Sequence, residues 1–199
     1  MNIKNISPNS SAWSASASRN SRIPTIPSIL TSGQSKLSDA EFDEKIMDLA
    51  RRDVAAGKNS RGNIKGGEEF FKLGKDYMSS ASPDRKGMIS DTLSNLANKL
   101  DSMRIKFNAN NLLQVLFQNS RIFGNSGNFG NAQVGSNFVN FKDANGNIIA
   151  SFDEHRGWVA HTTQAEVERL REFNVKWDKA IAKATQETNA ANATRNIKA

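Results

Sequence analysis

A single dipeptide, Asn145-Gly146, constrains this chain more than any other feature. Asn tolerates positive φ and Gly has no Cβ to clash, so the pair suits a two-residue type I′ loop between antiparallel strands. Counting outward sets Val139 against Phe152, Phe141 against Ala150 and Asp143 against Ile148 on one largely apolar face. On the other face Lys142 meets Ile149, Asn140 meets Ser151 and Phe138 meets Asp153. That is the alternation of a sheet with one side on a core and one in water. Glu154-His155-Arg156-Gly157 supplies a second turn, with Gly157 left-handed after a three-residue loop. Trp158 and Ala160 then join the core face, whereas a four-residue loop would bury Val159 instead.

A helix follows directly. Thr163 and Glu166 have the spacing of a capping box. Val167, Leu170, Phe173, Trp177, Ile181 and Ala184 recur at helical spacing, with Glu168, Arg169, Glu172, Lys176 and Lys179 largely off that stripe. The apolar sheet face and the helix stripe are expected to cover each other, the smallest arrangement of this kind that makes a core.

Upstream, the periodicity predicts about four helices over 38–118. Ser38 and Glu41 form a second capping box, and Phe42, Ile46, Leu49 and Val54 a stripe that Gly57 ends. A shorter helix runs from Glu68 to Ser79, with Phe70, Phe71, Leu73, Tyr77 and Met78 as candidates for burial. Ser82-Pro83-Asp84 reads as the start of a third, continuing through Ile89, Leu93, Leu96, Leu100 and Met103. Residues 110–118 (NLLQVLFQ at its apolar heart) suggest a buried fourth helix. Residues 119–135, rich in Gly and Asn, read as a long connection of a kind that is uncommon in compact domains. The expected fold is α+β: N-terminal helices, a three-stranded antiparallel β-meander over 136–162 and a closing amphipathic helix over 163–185. Together these make one domain, 38–185, with a frayed tail at 186–199.

Residues 1–37 are Ser-, Asn- and Pro-rich, with too few apolar side chains to offset the entropy of ordering, and are expected to be a disordered basic leader. They lack the continuous apolar segment of a secretory signal. Their Arg- and Ser-rich, acid-free composition overlaps that of organelle transit peptides, although three prolines argue against the amphipathic helix those require. Met1-Asn2-Ile3-Lys4-Asn5-Ile6, followed by the Ser-rich stretch, also resembles the front of flagellar and type III export substrates, which are threaded unfolded. That resemblance implies export without a cleaved signal; the cytoplasm is the alternative compartment.

The net charge of +7 invites a nucleic-acid reading, but its distribution argues against one. Four basic and no acidic residues lie in 1–38, whereas 39–108 carry 13 basic and 12 acidic residues and 109–199 carry 10 and 8. Binding by phosphate neutralisation needs a clustered basic face. No Cys is present, which removes disulfides, thiol catalysis and thiolate metal sites. No apolar run approaches the ~18–20 residues of a membrane span.

Each familiar chemistry fails on spacing. Asp143, Asn145, Asn147, Ile149, Ser151 and Glu154 occupy EF-hand ligand positions, yet Ile148 stands where that loop needs glycine. His155 and His161, even with Asp153 and Glu154 nearby, have no compact ligand geometry for zinc. Gly57 to Gly62 holds the ingredients of a phosphate loop in the wrong order, leaving Lys58, Arg61 and Lys65 as simple anion contacts. Phe70, Phe71, Lys72, Lys75 and Tyr77 have the mix of a base-stacking surface, but at the spacing of a core. No catalytic, cofactor or metal site is therefore expected. The expected function is non-enzymatic binding of a protein partner, through Asp84, Arg85 and Lys86 at a helix start and Arg156 and Trp158 at a turn. The competing readings are an enzyme with a dispersed site beneath 119–135, using Asp153, Glu154 and His161, and a weak nucleic-acid binder through the basic leader.

Overall fold

The computed structural model describes residues 22–30, 34–58, 61, 67–123 and 131–197. They form helices α1 Asp39–Ala55, α2 Glu68–Ser79, α3 Arg85–Ser102, α4 Leu112–Gln118, α5 Ser120–Phe123 and α6 Gln164–Ile197. A 3-10 turn spans Ser28–Leu30, and strands β1 Ala132–Val134, β2 Phe138–Lys142, β3 Ile148–Asp153 and β4 Gly157–Ala160 lie between α5 and α6. The class is α+β, with an antiparallel sheet of four strands in sequential order where three were expected. The added strand comes from the end of the Gly/Asn-rich segment, where Gln133 pairs with Asn140 and Val134 with Val139. Three residues are too few to show alternation in a sequence. Residues 124–130 of that segment lie outside the described residues.

The chain divides into two compact units. The sheet unit comprises described residues 22–30, 85–123 and 131–161. Its core joins Ile89, Leu93, Leu96 and Leu100 of α3 and Leu112, Leu116 and Phe117 of α4 to Val134, Val139, Phe141, Ile149 and Ala150 of the sheet. The helical unit comprises described residues 34–58, 61, 67–84 and 162–197. There Phe42, Ile46 and Leu49 of α1 and Phe70 and Tyr77 of α2 pack with Phe173, Trp177, Ala180 and Ala184 of α6.

The expected burial of the sheet face beneath the C-terminal helix is therefore corrected. The sheet takes its cover from α3 and α4, and the stripe of α6 takes its cover from α1 and α2. Two amphipathic surfaces adjacent in sequence were natural partners, but four upstream helices offered apolar stripes of their own. On α6 the buried line runs through Phe173, Trp177, Ala180 and Ala184, while Leu170 is exposed.

Register agrees with expectation from Phe138↔Asp153 to Phe141↔Ala150, then shifts so that Lys142 pairs with Ile148. The turn is one residue longer than the dipeptide suggested. Asp143 N–H donates to Asn147 O, Gly146 N–H donates to Asp143 O, and Gly146 has φ +84°. The Asp143 carboxylate accepts from the amides of Asn145 and Asn147, each at 2.9 Å, and so holds this wider loop closed. The resulting bulge leaves Ile149 and Ala150 both buried. The second turn is as expected: Gly157 has φ +72°, Trp158 lies opposite Phe152, and Val159 is exposed. Trp158 stacks with Phe141 at 5.6 Å, although Ala160, expected on the core face, is exposed.

Capping boxes form at Ser38/Glu41 and at Thr163/Glu166, where each carboxylate returns to the cap N–H. The third helix begins at Arg85, later than Ser82-Pro83-Asp84 suggested, and the Ser82 hydroxyl bonds to Glu166. Helix α6 runs to Ile197 where a frayed tail was expected after residue 185. Once nucleated, a helix propagates through residues with no apolar stripe, and Arg51 adds a tether to Glu187 at 3.0 Å.

Of the expected leader, residues 1–21 lie outside the described residues. Further along it, Ile23, Ile26 and Leu30 pack against the sheet unit's core, and Arg22 pairs with Asp101 at 2.6 Å.

Candidate binding groove

The residues singled out from the sequence have divergent fates. Arg85 is only 8% exposed, and its guanidinium donates to the carbonyls of Ile149 at 3.1 Å and His161 at 2.7 Å. A side chain so engaged is a structural strut between α3 and the sheet. Trp158 is half-buried in the core, whereas Asp84, Lys86 and Arg156 are exposed. Of the base-stacking candidates, Phe70 and Tyr77 belong to the helical core, whereas Phe71, at 48%, and Lys72 and Lys75 are exposed.

The groups of the enzymatic reading are similarly occupied. The Asp153 carboxylate accepts from the amides of His155 and Arg156, which hold it below the usual carboxylate range. His161 Nε2 is hydrogen-bonded to the Ser151 hydroxyl. That contact has the form of a nucleophile and its base, but among the described residues no carboxylate orients the imidazole, as such a pair requires. No group of three or more His, Asp or Glu among the described residues is arranged to hold a metal ion. No helix of the described residues is long and apolar enough to cross a membrane. Of the phosphate-loop candidate, Asn59, Ser60, Gly62 and Lys65 lie outside the described residues, and Arg61 pairs with Asp178 at 2.5 Å.

A concavity of the helical unit lies between α1 and α2. Both helices pack along α6 and touch each other little. They run antiparallel: Ser35, just before α1, meets Ser79 at the end of α2, and Arg52 near the end of α1 meets Glu69 at the start of α2. Each helix presents residues at i, i+3, i+4 and i+7 to the gap, which places them on one face. From α1 these are Lys45, Asp48, Leu49 and Arg52, and from α2 Glu69, Lys72, Leu73 and Asp76. With Leu37 and Arg51 they line an open groove of about 690 Å³, floored by the leucines and rimmed by charge.

The back of the groove is braced. Arg169 of α6 lies over the Tyr77 ring at 3.9 Å and bonds to Ser80 and Glu172, each at 3.0 Å, and to Asp39. The guanidinium holds the Asp39 carboxyl below its usual range, and burial pushes the Tyr77 phenol up. Lys176 meets Asp43 at 2.5 Å, which raises the ammonium. Glu166, 3% exposed, accepts from Ser82 and from the Thr163 amide and hydroxyl. These ties fix α1 and α2 to α6 from behind.

At the front the walls are joined at one end by Arg52 and Glu69, 2.6 Å apart. Among the described residues Lys45, Lys72 and Asp76 form no ion pair across the gap. The sequence carried one signal for this site, a second helical stripe beside each core stripe with a leucine flanked by charges. Single-helix periodicity cannot show that two such stripes face each other.

No family model matches the chain, and neither do any of the curated proteins or solved structures compared with it.

Proposed function

We propose that the protein is a non-enzymatic binding module whose α1–α2 groove receives a protein partner. One observation carries the reading: an apolar-floored, charge-rimmed groove stands open between two helices that are rigidly braced behind it. Asp153 is held in a turn, Glu166 in a cap and His161 against Ser151 in the sheet unit.

The partner engages the groove, while residues 1–21, ahead of the packed segment that begins at Arg22, serve delivery or docking. Replacing Leu73 by a photocrosslinking residue in the full chain tests the first part. Irradiation in the producing cells should give discrete protein adducts that disappear when Lys45 and Lys72 are both changed to Glu. The same probe at exposed Lys179 should give none. Equal labelling from both positions would remove the groove as the site. Comparing culture supernatant with and without residues 1–21, which leaves Ile23, Ile26 and Leu30 in place, tests the second part.

A further inference from the structure

The stretch Arg22-Ile23-Pro24-Thr25-Ile26-Pro27-Ser28-Ile29-Leu30 repeats the triplet Ile-Pro-x. Burial follows the same period. Ile23 and Ile26 are half-buried against the core of the sheet unit, whereas Thr25 and Ser28 are exposed. Residues 24–27 belong to no helix or strand. A polyproline II chain, with three residues per turn, brings every third side chain to one edge in this way. The two ends are fixed by different groups. Arg22 pairs with Asp101 at 2.6 Å and lies over the Phe107 ring at 4.8 Å. Leu30, 3% exposed, ends a 3-10 turn that lies beside the edge strand β4.

This segment is attached as a ligand is. It joins the sheet unit by non-covalent contacts alone, because the chain passes through residues 32–84 of the helical unit before the sheet unit resumes at Arg85. Pro24 and Pro27 carry no N–H to add to a backbone ladder, and the Leu30 N–H bonds within the segment, to Pro27 O at 3.0 Å. Side chains therefore supply the recognition. The Arg22–Asp101 tie is exposed on both sides and adds little, and the entropy of ordering the segment offsets much of its apolar burial. We propose that the sheet unit carries a seat for extended peptides with isoleucine at every third position and proline after it. Residues 22–30 fill this seat in cis, and a protein partner's segment of the same chemistry displaces them. Proline favours such a ligand by lowering the entropy lost on docking. The seat belongs to the sheet unit alone, so the inference stands independently of the α1–α2 groove.

A fluorescent peptide of residues 22–30 tests this by anisotropy against the full chain and two variants of it. Arg22→Ala loosens the cis segment at an exposed position while leaving Asp101 and Phe107 for the arginine of the peptide, and should tighten peptide binding about threefold. Ile26→Ser empties more of the seat and should tighten binding about tenfold. A peptide of the same composition, with its isoleucines moved off the three-residue period, should bind to none of the three chains. Trp158 fluorescence checks that each chain is folded. Where Ile26→Ser unfolds the sheet unit, the comparison of Arg22→Ala with the unaltered chain decides alone. Equal binding of the two peptides, equal affinity across the folded chains, or no binding to Arg22→Ala would overturn the seat.

Discussion

Arg85 and Glu166 are buried charged residues that hold backbone and side-chain groups which would otherwise lie unsatisfied. Removing one partner of a buried hydrogen bond leaves the other desolvated, which costs more than the bond itself contributes. Arg85→Ala should therefore destabilise the sheet unit by about 2–3 kcal/mol, read as a lower denaturant midpoint for Trp158 fluorescence. Glu166→Ala should cost about 1–3 kcal/mol, read through Trp177. The Thr163/Glu166 cap is legible in sequence because it is local, but the Arg85–Ile149 and Ser82–Glu166 bonds are not, because their partners lie 64 and 84 residues away. Arg104 shows the opposite effect. It takes φ +59° just past α3, where glycine is the usual residue, while Ile105 N–H bonds back to Leu100 O. Arg104→Gly should stabilise the chain by about 0.5–1 kcal/mol in chemical denaturation; a loss would show that its left-handed backbone is not strained.

The two hairpins repeat one device at the level of the element: an aspartate that caps its own turn and a glycine at positive φ. Gly146→Ala should cost about 1–2 kcal/mol, because the strain falls on backbone with open space around it. Hydrogen bonds from the Asn147 side chain and amide hold Asp143 low, and the His155 amide does most to hold Asp153 low. Depressed carboxyls contribute stability that is present above the ordinary aspartate range and lost as pH falls through it toward the folded-state values. The midpoint of unfolding should thus fall on acidification, and Asp153→Asn should flatten that acid limb while retaining an acceptor. In the helical unit Gly74 faces the Phe173 ring, where an added Cβ would come to 2.9 Å. Gly74→Ala should be destabilising by about 1–3 kcal/mol despite its better helix propensity. Turn glycines, cap boxes and most of the register were legible because they are local. The bulge at Ile149 was not, since Asn145-Gly146 fits both a two-residue and a three-residue loop until Asp143 decides between them.

At the scale of the whole molecule, residues 85–161 are inserted between the two halves of a helical bundle. The junctions are close on each side: Ser82 bonds to Glu166 within the helical unit, and Arg85 to the His161 carbonyl within the sheet unit. Replacing 85–161 by a short Gly/Ser linker should leave a cooperative helical fold with Trp177 buried, measured by circular dichroism and fluorescence. A loss of cooperative unfolding would show that the bundle depends on its insert. Sequence reading joined sheet to neighbouring helix because it weighs adjacency, whereas here Phe70 of α2 meets the rings of Phe173 and Trp177 of α6, far along the chain, at 5.2 and 5.0 Å.

That separation sets a timetable for synthesis. As the chain leaves the ribosome, α1 and α2 emerge with their aromatic faces bare and must wait for α6, about 80 residues later. At roughly 5–20 residues per second the delay is about 4 to 16 s, long compared with the microseconds in which helices form and collapse begins. Throughout that interval the nascent segment is a ready client for chaperones and proteases.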